Sequence, residues 1–379
     1  MAVYTPVNDP GSFFNVFPYT GTADTWTAHT GMGFQPNMTW MQGRSSAANW
    51  NAVCDSIRGV ESSGGPSPYT TYGIYSNSDT QEESSDNEYL NGYQSDGFTV
   101  GKNGSFGAEG EEYVAYCWKM ATTSGKSTTG ETITPTAYSI DTTACQGIYT
   151  YDGTGSAGQI NHGLGRVPGL ILVKRLDGGS VDWAVYQGFR GYNAGATTAP
   201  GEIDMTLNDS NARTTSSTMW DDTDATSTLF TVGSNNSSND SGQKFVAYVF
   251  CDVPGYCLTG KYPGNSNAAA GPYVYTGFEP AFVWVKNRDS GGPAGYGWAA
   301  LSNKLGMEGG VTYGYNEIIQ SSYLDQTAAA ASNVNIDLLS NGFRIRGTGS
   351  NQNGGDKYTF TAFAKNPFVN AEGVPTNAR

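Results

Sequence analysis

The sequence predicts an all-β protein of three tandem antiparallel β-sandwich domains, jelly-roll or lectin-like, each of about 110 residues. Three observations predict it. First, one phrase is written three times: a Gly, two variable residues, a Pro, a largely apolar run and a basic residue. The copies are GMGFQPNMTWMQGR at Gly31 to Arg44, GLGRVPGLILVKR at Gly163 to Arg175 and TGFEPAFVWVKNR at Thr276 to Arg288. Gly followed by Pro marks a turn, and an apolar run of about five residues suits a strand buried on both faces. Second, other landmarks recur at nearly the same offsets. Pro36, Pro168 and Pro280 stand 132 and 112 residues apart, and Trp50, Trp183 and Trp298 follow them by 14, 15 and 18. Gly97 to Val100, Leu229 to Val232 and Gly342 to Ile345 are spaced by 132 and 113, and Ala115, Ala247 and Ala362 by 132 and 115. Third, only 14% of the residues are charged while 51 are Gly. Low charge, many turn formers and β-favouring aromatics point to strands joined by long polar loops.

The period selects the kind of repeat. Solenoid and propeller units run about 20 to 50 residues and cannot bury a face alone. A unit of about 110 residues is large enough for a core of its own, so each is expected to close as a separate bead.

In order, residues 1–14 form an N-terminal arm with Pro6, Asp9, Pro10 and Gly11 and little apolar pattern. Unit one, 15–121, has an opening strand at NVFPYTG, a strand behind Pro36 and a third holding Trp50 to Ile57. A polar excursion from Glu61 to Tyr89 follows, and the pair GFTVG and YVAYCW closes the unit as a hairpin. Residues 122–147 are Ser/Thr-rich with Gly and Pro, the composition of an adaptable linker, although ITPTAYSI has enough β-branched character to lie along a sheet edge. Unit two, 148–254, repeats the plan with its excursion at Asn193 to Thr228. In its closing strand Phe245, Ala247 and Val249 take one face and Val246, Tyr248 and Phe250 the other. Both faces are apolar, which places that strand inside a sandwich. Unit three, 255–368, begins directly after Pro254, so units two and three are expected to be rigidly coupled and protease to cut first at 121–147. Its excursion is Gly306 to Asn333, and residues 369–379 are a tail. Trp50, Trp183 and Trp298 are read as core anchors, and Pro36, Pro168 and Pro280 as structural turn markers.

Charge and motifs exclude several functions. There are 20 basic against 34 acidic residues, a net charge of −14, and the basic ones are scattered singly, which argues against nucleic acid. Apolar runs of about five residues fall short of the roughly 20 that span a bilayer, so no membrane insertion is expected. The start, MAVYTPVNDP, lacks the basic and apolar parts of a secretory signal, and synthesis in a cytoplasm without Sec export is expected. Cys54, Cys117, Cys145, Cys251 and Cys257 are odd in number without a CxxC, which favours buried free thiols and leaves one bond, Cys251 to Cys257, open. His29 and His162 precede the turns of units one and two and have no counterpart in unit three, so both are read as structural and not as zinc ligands. Glu82-Glu83, Glu111-Glu112 and Asp221-Asp222 are adjacent pairs, which a strand would point to opposite faces, unlike the facing carboxylates of a glycosidase. DTQEESSDNE, Asp79 to Glu88, and DDTD, Asp221 to Asp224, are oxygen-rich but lack EF-hand spacing, which leaves calcium open. With no GxSxG, phosphate loop or dinucleotide fingerprint, no catalytic residue, metal ligand or cofactor is assigned.

Binding is expected in the excursions, where the units differ while their strands stay in register. These hold Tyr72, Tyr75, Trp220, Tyr313, Tyr315 and Tyr323 among small polar residues, with Asp221 and Asp222 beside Trp220. Rings with nearby amides and carboxylates suit sugar faces and hydroxyls, in weak multivalent binding.

The phrases HGLGRVPGLILVKR, VYTGFEPAFVWVKNR, SDGFTVG, YVAYCW, LLSNGFRIRG and TFTAFAKNPF, with the linker GETITPTAYSIDTTACQGIYTYDGTG, resemble a family of bacteriophage virion structural proteins, the tail fibre-like proteins of phages of aquatic bacteria. The resemblance covers about Tyr19 to Arg379. It implies a non-enzymatic protein at the virion surface among other virion proteins, as a tail fibre or receptor-binding component that contacts host surface polysaccharide. A capsid decoration or head-fibre protein is the runner-up, and a carbohydrate-active enzyme is third. The fibre class implies a homo-oligomer, guessed as a trimer.

Overall fold

The computed structural model describes residues 4–24, 26–45, 50–59, 70–86, 90–101, 106–188, 198–291, 296–305, 317–318, 321–327, 329–330 and 336–376. Strand makes up 44% of it and helix 3%, in antiparallel sheets throughout, so the protein is all-β.

Each repeat places its two most apolar strands side by side at the centre of a large sheet. In the first, Met38–Gly43 and Glu112–Trp118 pair, flanked by Phe14–Thr20 and Ala52–Asp55. The second has Pro168–Arg175 against Lys244–Cys251, flanked by Gln146–Asp152 and Ala184–Gln187. The third has Phe278–Asn287 against Lys357–Pro367, flanked by Cys257–Pro263 and Ala299–Ser302. The order of opening, closing, Pro-marked and following strand is therefore the same three times. Smaller sheets accompany these, such as Thr27–Thr30 with Gly97–Val100 and Leu90–Gln94 in the first repeat, and Gly158–Asn161 with Leu229–Val232 in the second.

The large sheets are buried on both faces, and the two faces serve different ends. In the first repeat Met41, Tyr113, Ala115 and Cys117 pack with Phe98 and Leu90 of the small sheet. Their alternates, Met38, Trp40, Val114, Tyr116 and Trp118, belong to a larger cluster drawn from all three repeats. At its centre Phe14 stacks on Phe363 with centroids 4.8 Å apart, Trp118 lies 5.6 Å from Phe250, and Phe250 lies 5.5 Å from Phe363. The expectation of separately closed beads is corrected by this shared core. Two apolar faces on a closing strand did mean burial on both sides, but the second covering layer is supplied by the other repeats.

The repeats close into a ring. The equivalent residues Arg44, Leu176 and Arg288 each offer a backbone carbonyl to another repeat: Leu176 O accepts from Glu82 N at 3.0 Å, Arg288 O from Arg213 N at 3.0 Å and Arg44 O from Ala330 N at 3.0 Å. Two residues earlier, Gln42, Lys174 and Lys286 reach the same way. Gln42 Nε2 donates to Tyr323 O at 2.8 Å, Lys174 Nζ to Asp79 O at 2.9 Å and Lys286 Nζ to Ser210 O at 3.0 Å. Burial pulls both lysine ammoniums down to about 8. First meets second, second meets third and third meets first, so the seams are pseudo-equivalent.

The same geometry corrects the reading of Trp50. Trp183 and Trp298 are each 1% exposed and donate Nε1 across a seam, to Tyr75 O at 2.8 Å and Thr206 O at 2.9 Å, whereas Trp50 is 40% exposed. Trp50 follows its proline by 14 residues and Trp183 by 15, and on a strand one residue reverses the face. Asn51 is the true counterpart of Trp183, and its Nδ2 donates across the first–third seam to the carbonyls of Tyr323, Leu324 and Gln326 at 3.1, 3.2 and 2.9 Å. Pro36, Pro168 and Pro280 are buried at the starts of the central strands.

Residues 122–147 are tied to the second repeat rather than slack. Ala137–Asp141 adds an edge strand to Gln146–Asp152, Thr122 bridges Ile140, and Thr132 N and Ile133 N donate to Gln159 O at 2.8 and 3.0 Å. Gln146 Nε2 also donates to Lys119 O at 2.8 Å and Phe13 O at 3.2 Å, so a cut in the exposed stretch 121–130 would open a loop without freeing a unit. All five cysteines are free and buried. Cys251 has Cys145 as its thiol neighbour, and the hydrogen bond from Cys251 pulls the Cys145 thiol down.

Candidate functional site

The aromatic residues expected to bind sugar are not gathered in one place. Tyr75 and Tyr323 are buried in seams, where their carbonyls accept from Trp183 and from Gln42 and Asn51. Trp220 is fully buried and meets the Tyr186 ring edge-on at 5.6 Å, and Tyr72 is half-buried on the strand Thr70–Tyr75. Tyr75, Tyr323 and Trp220 are therefore corrected to structural roles, the first two at seams and the third inside the second repeat. Asp221 and Asp222 are exposed in a turn with φ of 54° and 48°. Tyr313 and Tyr315 lie outside the described residues.

The structure instead exposes Tyr4 and Tyr275, at 58% and 62%, on the walls of a cleft of about 400 Å³. Tyr275 ends the strand Tyr273–Tyr275, whose alternation buries Val274 and turns both tyrosines outward. Tyr273 is fixed by its hydroxyl, which donates to Asn341 Oδ1 at 2.7 Å. Tyr4 is brought to the cleft by the N-terminal arm, whose Thr5 crosses close over Gly255. That glycine has φ of 77°, and a Cβ there would meet Thr5 Oγ1 at 2.8 Å, so a side chain would push the arm away. Val253, Pro254, Leu258 and Phe368 add apolar lining. Arg166, exposed, and Asp252, nearly buried, supply opposite charges, and Asp252 Oδ1 is held by Thr259 N at 2.8 Å. A cleft of this size with apolar walls and a few placed polar groups is the form of a small-ligand site. The sequence signal was the alternation in GPYVYTG, a short strand between turn formers with tyrosine at both outward positions.

The two histidines sit in protein rather than in the cleft. His162 is buried, its Nδ1 accepts from Leu164 N at 3.1 Å and its Nε2–H donates to Thr226 O at 3.2 Å. Burial lowers it to about 4, and burial among Phe17, Tyr19 and Phe98 lowers His29 to about 4 as well. A folded pKa below the unfolded one means that the unfolded chain takes up the proton first. Stability is therefore fully present above about pH 6.5 and falls as the pH drops towards 4, by about 3 kcal/mol for His162. Urea melts from pH 7 to pH 4 should show this slope, and His162→Gln should remove its share; an unchanged slope in that variant would count against it.

Among the described residues no three or more His, Cys, Asp or Glu gather as a metal would need, and no helix is long and apolar enough to cross a membrane. No curated protein matches the chain. Residues 9–367 match the family described as Domain of unknown function (DUF7483), and with nearly its whole length matched the chain belongs to that family.

Proposed function

We propose that the protein is a non-enzymatic structural component of a bacteriophage virion surface, a tail fibre or receptor-binding part, and that the Tyr4–Tyr275 cleft is where host surface glycan docks. The observation that carries this reading is the pair of exposed tyrosines facing a cleft that also holds Arg166 and Asp252. Tyrosine faces accept the C–H side of a sugar ring, while the guanidinium and carboxylate suit its hydroxyls. The ring of three repeats supplies a rigid support.

The purified chain should bind host cells and compete with infection. Tyr275→Ala and Tyr4→Ala should each weaken that binding by up to about tenfold, an aromatic contact being worth about 0.5 to 1.5 kcal/mol. Their melting should stay unchanged, since both rings are exposed. A second reading, capsid decoration, is favoured by the internal three-fold arrangement, because one chain offers three related faces to a symmetric lattice. Binding to empty capsids with no affinity for cells would establish that reading and remove the first.

A further inference from the structure

The second–third seam holds a pocket of about 280 Å³ lined by Arg213, Thr214, Thr215, Arg288 and Asp289. Its frame is backbone: Arg213 N donates to Arg288 O at 3.0 Å and Arg288 N to Lys357 O at 3.1 Å. Asp289 accepts from Lys357 N at 3.3 Å and Arg213 Nε at 3.5 Å. Lys261 stands one strand over, on Cys257–Pro263, which pairs with the strand that Lys357 begins. Four cations far apart in sequence thus converge in a chain of net charge −14.

That concentration is unfavourable in itself. Burial pulls the Arg288 guanidinium down to about 10 and nearby Arg213 adds to it, against the opposing pull of Asp289. Lys261 is lowered by burial and then by Arg288, Arg213 and Lys357. The ring does not need these charges to close. The equivalents of the Arg213–Arg288 pair are Glu82–Leu176 and Ala330–Arg44, and both make the same backbone hydrogen bond at the same 3.0 Å. Two arginines around an open pocket, with two lysines close by, are what an anion site requires.

We propose that this pocket binds an oxyanion, the carboxylate, sulfate or phosphate group of an acidic ligand, with Arg213 and Arg288 as the gripping cations and the strand Thr214–Thr215 forming one wall. The site does not depend on the tyrosine cleft. Titration calorimetry of the full chain at low salt with glucuronate, inorganic sulfate and inorganic phosphate, and with neutral glucose as control, tests it. Binding of glucuronate alone identifies a uronic-acid site, and binding of sulfate or phosphate alone a sulfate- or phosphate-ester site; either supports the proposal. Arg213→Gln, on a half-exposed side chain, should lower the affinity at least tenfold without shifting the melt, and raised salt should weaken binding in the wild type. The anion should still bind to Tyr275→Ala. No binding by any of the three anions at millimolar concentration, full affinity in Arg213→Gln, or loss of binding in Tyr275→Ala would each overturn it.

Discussion

Arg58→Ala will destabilise the protein by about 3 to 5 kcal/mol, the cost of removing one partner from a buried ion pair. Arg58 Nε contacts Asp55 Oδ2 at 2.5 Å with both side chains almost wholly buried, and Nη1 reaches Glu82 at 2.6 Å. Its Nη2 donates to Val53 O at 2.9 Å and to Tyr248 Oη at 3.0 Å, and Tyr248 in turn donates to Asp55 Oδ2 at 2.6 Å. Asp55 and Arg58 belong to the first repeat and Tyr248 to the closing strand of the second, so the network pins a seam. Burial acts against the charge on Arg58, but Asp55, Tyr248 and Glu82 outweigh it and hold the guanidinium protonated. Without Arg58 the Asp55 carboxylate would stay buried with only a hydroxyl and two backbone amides, from Ile57 and Arg58, to satisfy it. Replacing the pair together, as Asp55→Leu with Arg58→Met, should cost much less than the single change. Urea denaturation measures both, and a loss under about 1 kcal/mol for Arg58→Ala would mean the network is not formed.

Trp183→Ala should cost a comparable 3 to 5 kcal/mol, because it empties a large buried aromatic site. It also leaves the Tyr75 carbonyl without the indole donor that spans the first–second seam. Trp50→Ala is the control: that ring is 40% exposed and leans on Tyr75 with centroids 5.0 Å apart, so its loss should stay within about 1 kcal/mol. Equal losses from the two substitutions would contradict the one-residue offset that distinguishes them.

The central strands were legible in the sequence because apolar runs, turn prolines and a fixed offset all depend on local chemistry. GFTVG and YVAYCW, read as a hairpin, instead lie in different sheets, Gly97–Val100 in the small one and Glu112–Trp118 in the large one. KFVAYVF announced burial on both faces, and both faces are buried. What covers the second face was not legible, since a run of alternating apolar residues does not say whether its partner is a small sheet or another repeat. The candidate site failed for a related reason. Tyr75, Trp220 and Tyr323 sit in polar excursions that look like surface loops, yet Tyr75 and Tyr323 are buried at seams and Trp220 is buried against Tyr186 within the second repeat. Tyr4 and Tyr275 are far apart in the sequence and meet only because the arm crosses Gly255. Arg213, Lys261, Arg288 and Lys357 look solitary along the sequence, and strand pairing and a seam bring them together.

The shared core is tested most directly by equilibrium urea unfolding of the intact chain, followed in parallel by tryptophan fluorescence and far-ultraviolet circular dichroism. Because Phe14, Trp118, Phe250 and Phe363 join all three repeats in one cluster, the two signals should fall in a single coincident transition. Arg58→Ala and Trp183→Ala should move that transition as a whole. Separate transitions for the repeats, with either substitution shifting only one of them, would contradict a common core and restore three independent beads.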